Sequence, residues 1–257
     1  MIRRGNAGVA ILAALSLNLL TAAANKPSES SIAKGQELAA ELRSRTPPEN
    51  LEVNGVLKLR SSDGKRTKVP IRYRIVVADK HWESIYETVL SDGTAPERLR
   101  VVHADGEPNR YLLSRPASGQ APSGEPISLS SEKAMVPFAN SDFWLTDLGL
   151  EFLHWPQQRI VEEAKIRMRK GRPCRVLESI NTSPGATGYT RVRSWIDAKT
   201  GGVILAEAYG PAGKRMKEFE VGGLVKINGT WELKNMEMRN ASTDSLTVLE
   251  FKYEQRE

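Results

Sequence analysis

Hydrophobic and polar residues alternate with a period of two along most of this chain. Leu51, Val53, Leu57 and Leu59 are interleaved with Glu52, Asn54, Lys58 and Arg60. After Asp63-Gly64 the rhythm resumes as Val69, Ile71, Tyr73, Ile75 and Val77 against Arg72 and Arg74. Successive side chains of a strand point to opposite faces, so this pattern predicts strands with one buried and one wetted face, and Asp-Gly marks a hairpin. Trp82, Tyr86 and Leu90 run to Asp92-Gly93, Leu99, Val101 and His103 run to Asp105-Gly106, and Tyr111-Leu112-Leu113 opens a further strand. In the second half, strands are expected over 163–168, 174–180, 189–196, 203–209, 216–221, 224–227 and 231–234, with turns at Gly171-Arg172 and Asn228-Gly229. Met236 and Met238 pair in pattern with Leu246, Val248 and Phe251. The count is roughly eleven short antiparallel strands.

Two stretches break this period. Ile32, Leu38, Ala39 and Leu42 form a narrow apolar stripe at helical spacing, which predicts one helix over 32–45, capped by Ser30 or Ser31 and stopped by Pro47-Pro48. Between Phe138 and Trp155, Phe143, Trp144, Leu145, Leu148, Leu150, Phe152 and Leu153 crowd together. Ser141 and Asp142 stand ready as caps and Pro156 as a stop. One or two short helices with a strongly apolar face are expected at 141–155. A large antiparallel sheet must cover its inner face and its edges. Curling into an unclosed barrel, with the two helical segments as lid or plug, does both.

Composition refines the picture. The 257 residues are 40% hydrophobic and 26% charged, with formal charge +6. This suits one ordinary globular domain, placed at 32–257 behind a polar tether at 25–31. Met1-Ile2-Arg3-Arg4, the apolar run Ala7 to Leu20 and the small residues Ala22 and Ala24 have the form of a signal peptide over 1–24, cleaved after Ala24. The run is shorter than the roughly 20 residues that span a bilayer. An exported, periplasmic protein is therefore expected. The only cysteine, Cys174, is distant from the cleavage point, so no lipid anchor is expected there, nor an internal disulfide. Cys174 reads as a small buried strand residue.

The search for chemistry returns little. His81, His103 and His154 lack metal-ligand spacing, and no Gly-x-Ser-x-Gly, phosphate loop or cysteine pair occurs. No catalytic residue, metal or cofactor is expected. Asp142 and Asp147 could be paired carboxylates, but capping and first-turn charge explain them more simply. The densest basic run holds Arg167, Arg169, Lys170 and Arg172, either a solvated outer face or a docking patch for an acidic partner or anionic head groups. The aromatic residues do not interleave with these bases, so nucleic acid is not expected.

Asn140 to Leu148, with its Ser-Asp-Phe-x-x-x-Asp-Leu element, resembles a segment of the bacterial outer-membrane lipoprotein-sorting (LolA-like) family. The pieces 171–178, 189–197, 213–217, 227–231 and 236–240 follow in the order that family shows, so the resemblance spans roughly residues 50 to 251. It implies an unclosed barrel with a helical lid whose apolar cavity takes up lipid or lipoprotein acyl chains. It also implies an inner-membrane release complex, an outer-membrane acceptor and transient membrane contact. Phe143, Trp144 and Leu148 would belong to the lid, and Met236 and Met238 to an adaptable cavity wall, with plain core packing the alternative for each. The competing expectation is an envelope scaffold or sensor with a filled interior, acting through the basic run. An unrecognised hydrolase would need a nucleophile and base brought together from distant strands.

Overall fold

The computed structural model describes residues 27–89, 96–115, 126–161, 167–185, 188–227 and 229–253. The leader and its cleavage point after Ala24 lie outside them. Helix α1 (Glu29–Arg43) begins inside the segment read as tether, because Ser28 and not Ser30 or Ser31 caps it, its side chain accepting from the Ser31 N–H at 3.1 Å. Its buried stripe is Ser31, Gly35, Leu38 and Ala39, while Ile32 faces outward. Gly35 is required: a Cβ there would collide with the backbone of Arg159.

The strands are β1 (Leu51–Arg60), β2 (Arg66–Val77), β3 (His81–Thr88), β4 (Arg98–Ala104), β5 (Arg110–Ser114), β6 (Ile127–Leu129), β7 (Gln157–Ile160), β8 (Arg167–Arg169), β9 (Arg172–Ile180), β10 (Arg191–Asp197), β11 (Val203–Tyr209), β12 (Arg215–Ile227), β13 (Thr230–Asn240) and β14 (Ser245–Lys252). They form one antiparallel sheet ordered β6-β5-β4-β3-β2-β1-β14-β13-β12-β11-β10-β9-β7, with β8 also on β9. Neighbours in space are mostly neighbours in sequence. The exception that matters is β1 on β14, which joins the two halves. β6 and β7 do not pair with each other, so the barrel is unclosed. The described residues form 14 strands rather than about eleven; β6 and β7, among those not expected, are too short for an alternation to show.

The predicted alternation sets the faces. Tyr73 of β2 lies opposite Val53 and Tyr86, and Tyr86 opposite Leu99, all inward and in one core with Leu57, Ile71, Leu249 and Phe251. The outward residues pair ionically, as in Arg100–Glu83 at 2.7 Å and Arg74–Glu87 at 3.7 Å. Each sets a partly exposed arginine against a largely covered carboxylate. The segment between β6 and β7 crosses the gap between the free edges and packs within the hollow. Phe138, Phe143 and Leu145 join the first core, whereas Phe152, Leu153 and Trp155 join a second with Leu38, Leu177 and Ile196. Burying a side chain such as Phe143 contributes about 1.5–3 kcal/mol. This plug therefore ties the two halves together.

Candidate functional site: an apolar cavity behind a latched plug

The plug is held by turn geometry and polar contacts more than by helix. Ala139 and Asn140 adopt left-handed φ of 49° and 55°, which reverses the chain so that the Phe138 N–H donates to the Phe143 carbonyl at 2.9 Å. Helical structure is confined to α2 (Leu145–Leu148) and a 3-10 turn at Glu151–His154. Asp142 caps neither. Its carboxylate accepts from the hydroxyls of Ser245 (2.5 Å) and Thr247 (2.8 Å) on β14, and its N–H donates to Thr247 Oγ1 at 2.9 Å. The expected cap at Asp142 is corrected by this pull toward the sheet.

Asp147 does serve the helix start, accepting from the Trp144 N–H at 2.8 Å. It also meets Lys217 of β12 at 3.2 Å and accepts from the Tyr189 hydroxyl at 3.3 Å. Lys217 is 2% exposed, and its Nζ lies 3.8 Å from the centre of the Trp144 ring, which stacks on Tyr189. Desolvation pulls the Lys217 pKa below its ordinary value, although Asp147 and Asp142 favour the charged form. A charge buried this deeply is tolerable only because both a carboxylate and an aromatic face meet it. Plug and wall are thus latched at two points, β14 and β12.

Beside the plug the hollow stays unfilled. A cavity of about 510 Å³ is bounded by Leu51, Tyr73, Ile75 and Trp82 from β1–β3, by Phe219, Val221, Leu224, Leu233, Met236, Phe251 and Tyr253 from β12 through the end of β14, and by Phe143, Leu148 and Leu153 of the plug. That volume is within the roughly 300–1,000 Å³ of small-molecule sites. The contributing ends of β1, β2, β12 and β13 fall at one end of the sheet by register, and toward the other end the cavity reaches Asp147 of the latch. Trp231, 65% exposed at the β12–β13 hairpin, stands on its rim with Arg43, Arg45 and Arg172.

One wall is polar. Ser84 Oγ lies 3.2 Å from His103 Nε2, and the His103 ring stacks on Trp82 with centroids 3.9 Å apart. Asn109, His154 and Gly149 continue this wall. Burial lowers the pKa of both His103 and His154 to about 4, so both are neutral near pH 7. Behind them Glu151, 5% exposed, accepts from Tyr111 at 2.8 Å and from Asn109 at 3.3 Å, and burial raises its pKa.

Among the residues singled out by sequence, Phe143, Leu148 and Met236 border the cavity. Trp144 instead stacks in the latch, and Met238 borders a void of about 30 Å³ beside Lys217, about the size of one water. The β2, β3 and β14 contributors were visible only as inward positions; nothing local distinguishes cavity wall from packed core. Of the basic run, Lys170 pairs with Glu220 at 2.7 Å and Arg172 with Asp197, while Arg169 lies over the Trp195 ring at 4.9 Å. Arg167 is in β8, and its side chain lies outside the described residues. The structure collects another cluster, Arg159, Arg191 and Arg193, around Glu178, which is 1% exposed. Burial works against ionisation of Glu178, yet the hydrogen bonds from Arg193 and Arg159 hold its pKa below the usual value. Cys174 is buried in β9 as read. Among the described residues no three potential metal ligands come together, and no helix is long and apolar enough to cross a membrane.

A family model described as "-like: Uncharacterized protein" matches residues 121–255, more than half of the chain, a span that takes in β6, the plug and every strand through β14. The chain belongs to that family. No curated protein sequence matches. Among solved structures, the chain is similar to a DUF1329 family protein from Desulfovibrio piger, with a TM-score of 0.69 and 16% identity over 86% of this chain and 91% of that one. It is equally similar to a domain assigned to outer membrane lipoprotein sorting from Vibrio parahaemolyticus, with a TM-score of 0.69 and 19% identity over 86% and 92%. A LolA superfamily protein from Nitrosomonas europaea gives 0.57 and 16% over 88% and 94%. The fold is LolA-like.

Proposed function

We propose that this chain is a periplasmic carrier that takes a lipid or lipoprotein acyl chain into its cavity and escorts it toward the outer membrane without covalent chemistry. The observation that carries this reading is the mainly apolar cavity of about 510 Å³ within a LolA-like fold. A side-chain-filled scaffold would have no use for it. Each CH₂ moved from water into such a space contributes about 0.8 kcal/mol, so one chain can be held by burial alone, after the costs of ordering it. Trp231 at the rim is suited to brief contact with a membrane surface, where indole is favoured. The likeness to a lipoprotein-sorting domain supports the cargo class, and the signal-peptide pattern supports export.

Titration with a brominated acyl chain, read by quenching of the cavity residues Trp82 and Trp231, tests the proposal. Saturable quenching is expected, weakened at least about tenfold in Val221→Glu, which sets a carboxylate in the apolar wall. Absent quenching, or quenching indifferent to Val221→Glu, would refute it.

A further inference from the structure

The polar wall is unexplained by acyl-chain burial. Ser84 is 2% and Asn109 6% exposed, yet both border the cavity. Asn109 uses its amide nitrogen on the Gly149 carbonyl at 2.8 Å, and its Oδ1, shielded from the cavity, lies on the His103 side and favours a proton on that ring, so Asn109 holds the imidazole beside Ser84. We propose that Ser84, His103 and Asn109 select the head of the cavity's ligand: an uncharged group that both donates and accepts hydrogen bonds, as at the hydroxyl, ester or amide end of a neutral lipid.

The surrounding charges agree. Neutral His103 offers one donor or acceptor nitrogen and no positive charge, and Glu151 behind Asn109 disfavours an anion. Arg172 and Arg45 at the rim are engaged by Asp197 and Glu41. Arg43, which donates to the Leu153 carbonyl, is the cavity arginine that would draw an anionic head instead. Burial holds the His103 pKa below its ordinary range, which weakens it as a general base toward Ser84 at neutral pH.

This inference rests on the carrier reading and is tested separately from it. Three probes with the same tail, monooleoylglycerol, oleate and oleoyl lysophosphatidate, are compared by displacement of a fluorescent acyl probe. Monooleoylglycerol is expected to bind about tenfold tighter than either anion, the scale of one or two satisfied hydrogen bonds. Ser84→Ala, Asn109→Leu and His103→Phe, the last keeping the stack on Trp82, should each bring the three affinities within about twofold. Thermal melts identify any variant that fails to fold. Equal or tighter binding of an anion, a preference unchanged in the folded variants, or release of oleate from monooleoylglycerol would each overturn the inference while leaving the carrier reading. Failure of all three probes to bind would overturn both.

Discussion

His103 and His154 stand where a charge cannot be hydrated, and burial lowers their pKa from the usual 6.5 to about 4. Between pH 6.5 and 4 the unfolded chain therefore binds protons that the folded chain refuses, and folded stability falls as pH falls through that window. For His103 the loss is on the order of 2 kcal/mol. Urea unfolding at pH 7 and pH 5 should give a midpoint drop that is smaller in His103→Phe; an equal drop would place the imidazole in water. Inward residues such as Val53, Ile71, Tyr86 and Leu99 were legible from alternation alone, since a strand has two faces. Lys217 was not, because a lysine on a strand ordinarily faces water. Asp147, 70 residues away, and the ring of Trp144 together make its burial tolerable. The partners of Lys170 and Arg172 are also distant in sequence, so the two ion pairs within the basic run, read as a solvated face or a docking patch, were not legible locally.

Elements were legible in proportion to their length. The long strands were foreseen, including both parts of β12, whose continuity through the Gly222-Gly223 irregularity was not. Edge strands β6 and β7 carry too few residues to show a period, and the N-terminus of α1 moved because Ser28, one serine among several, took the capping role. The plug was legible as an apolar break in the pattern, but its shape was not: tertiary contacts to β14 and β12 replace most of the expected helix. Lys217→Met cuts the β12 latch and leaves Asp147 without its cation. A loss of about 3 kcal/mol in urea unfolding is expected, partly restored by adding Asp147→Leu. Hydrogen exchange should rise more over 136–150 than over β1–β3. Uniform protection in the variant would show that the latch does not hold the plug.

At the scale of the molecule, a single sheet closes the β1–β14 seam, leaves β6 and β7 apart, and fills only part of its hollow with the plug. Sequence could propose the curl, because so many inward faces need cover, but not how much space would be left. That depends on register and plug position together. The proposed carrier role rests on that remaining space. Native mass spectrometry of protein purified without detergent, with lipid extraction of the same sample, tests it most directly. The account expects a one-to-one adduct of lipid mass that Val221→Glu lacks. A protein that is lipid-free, and that gains no mass when monooleoylglycerol is supplied, would contradict it.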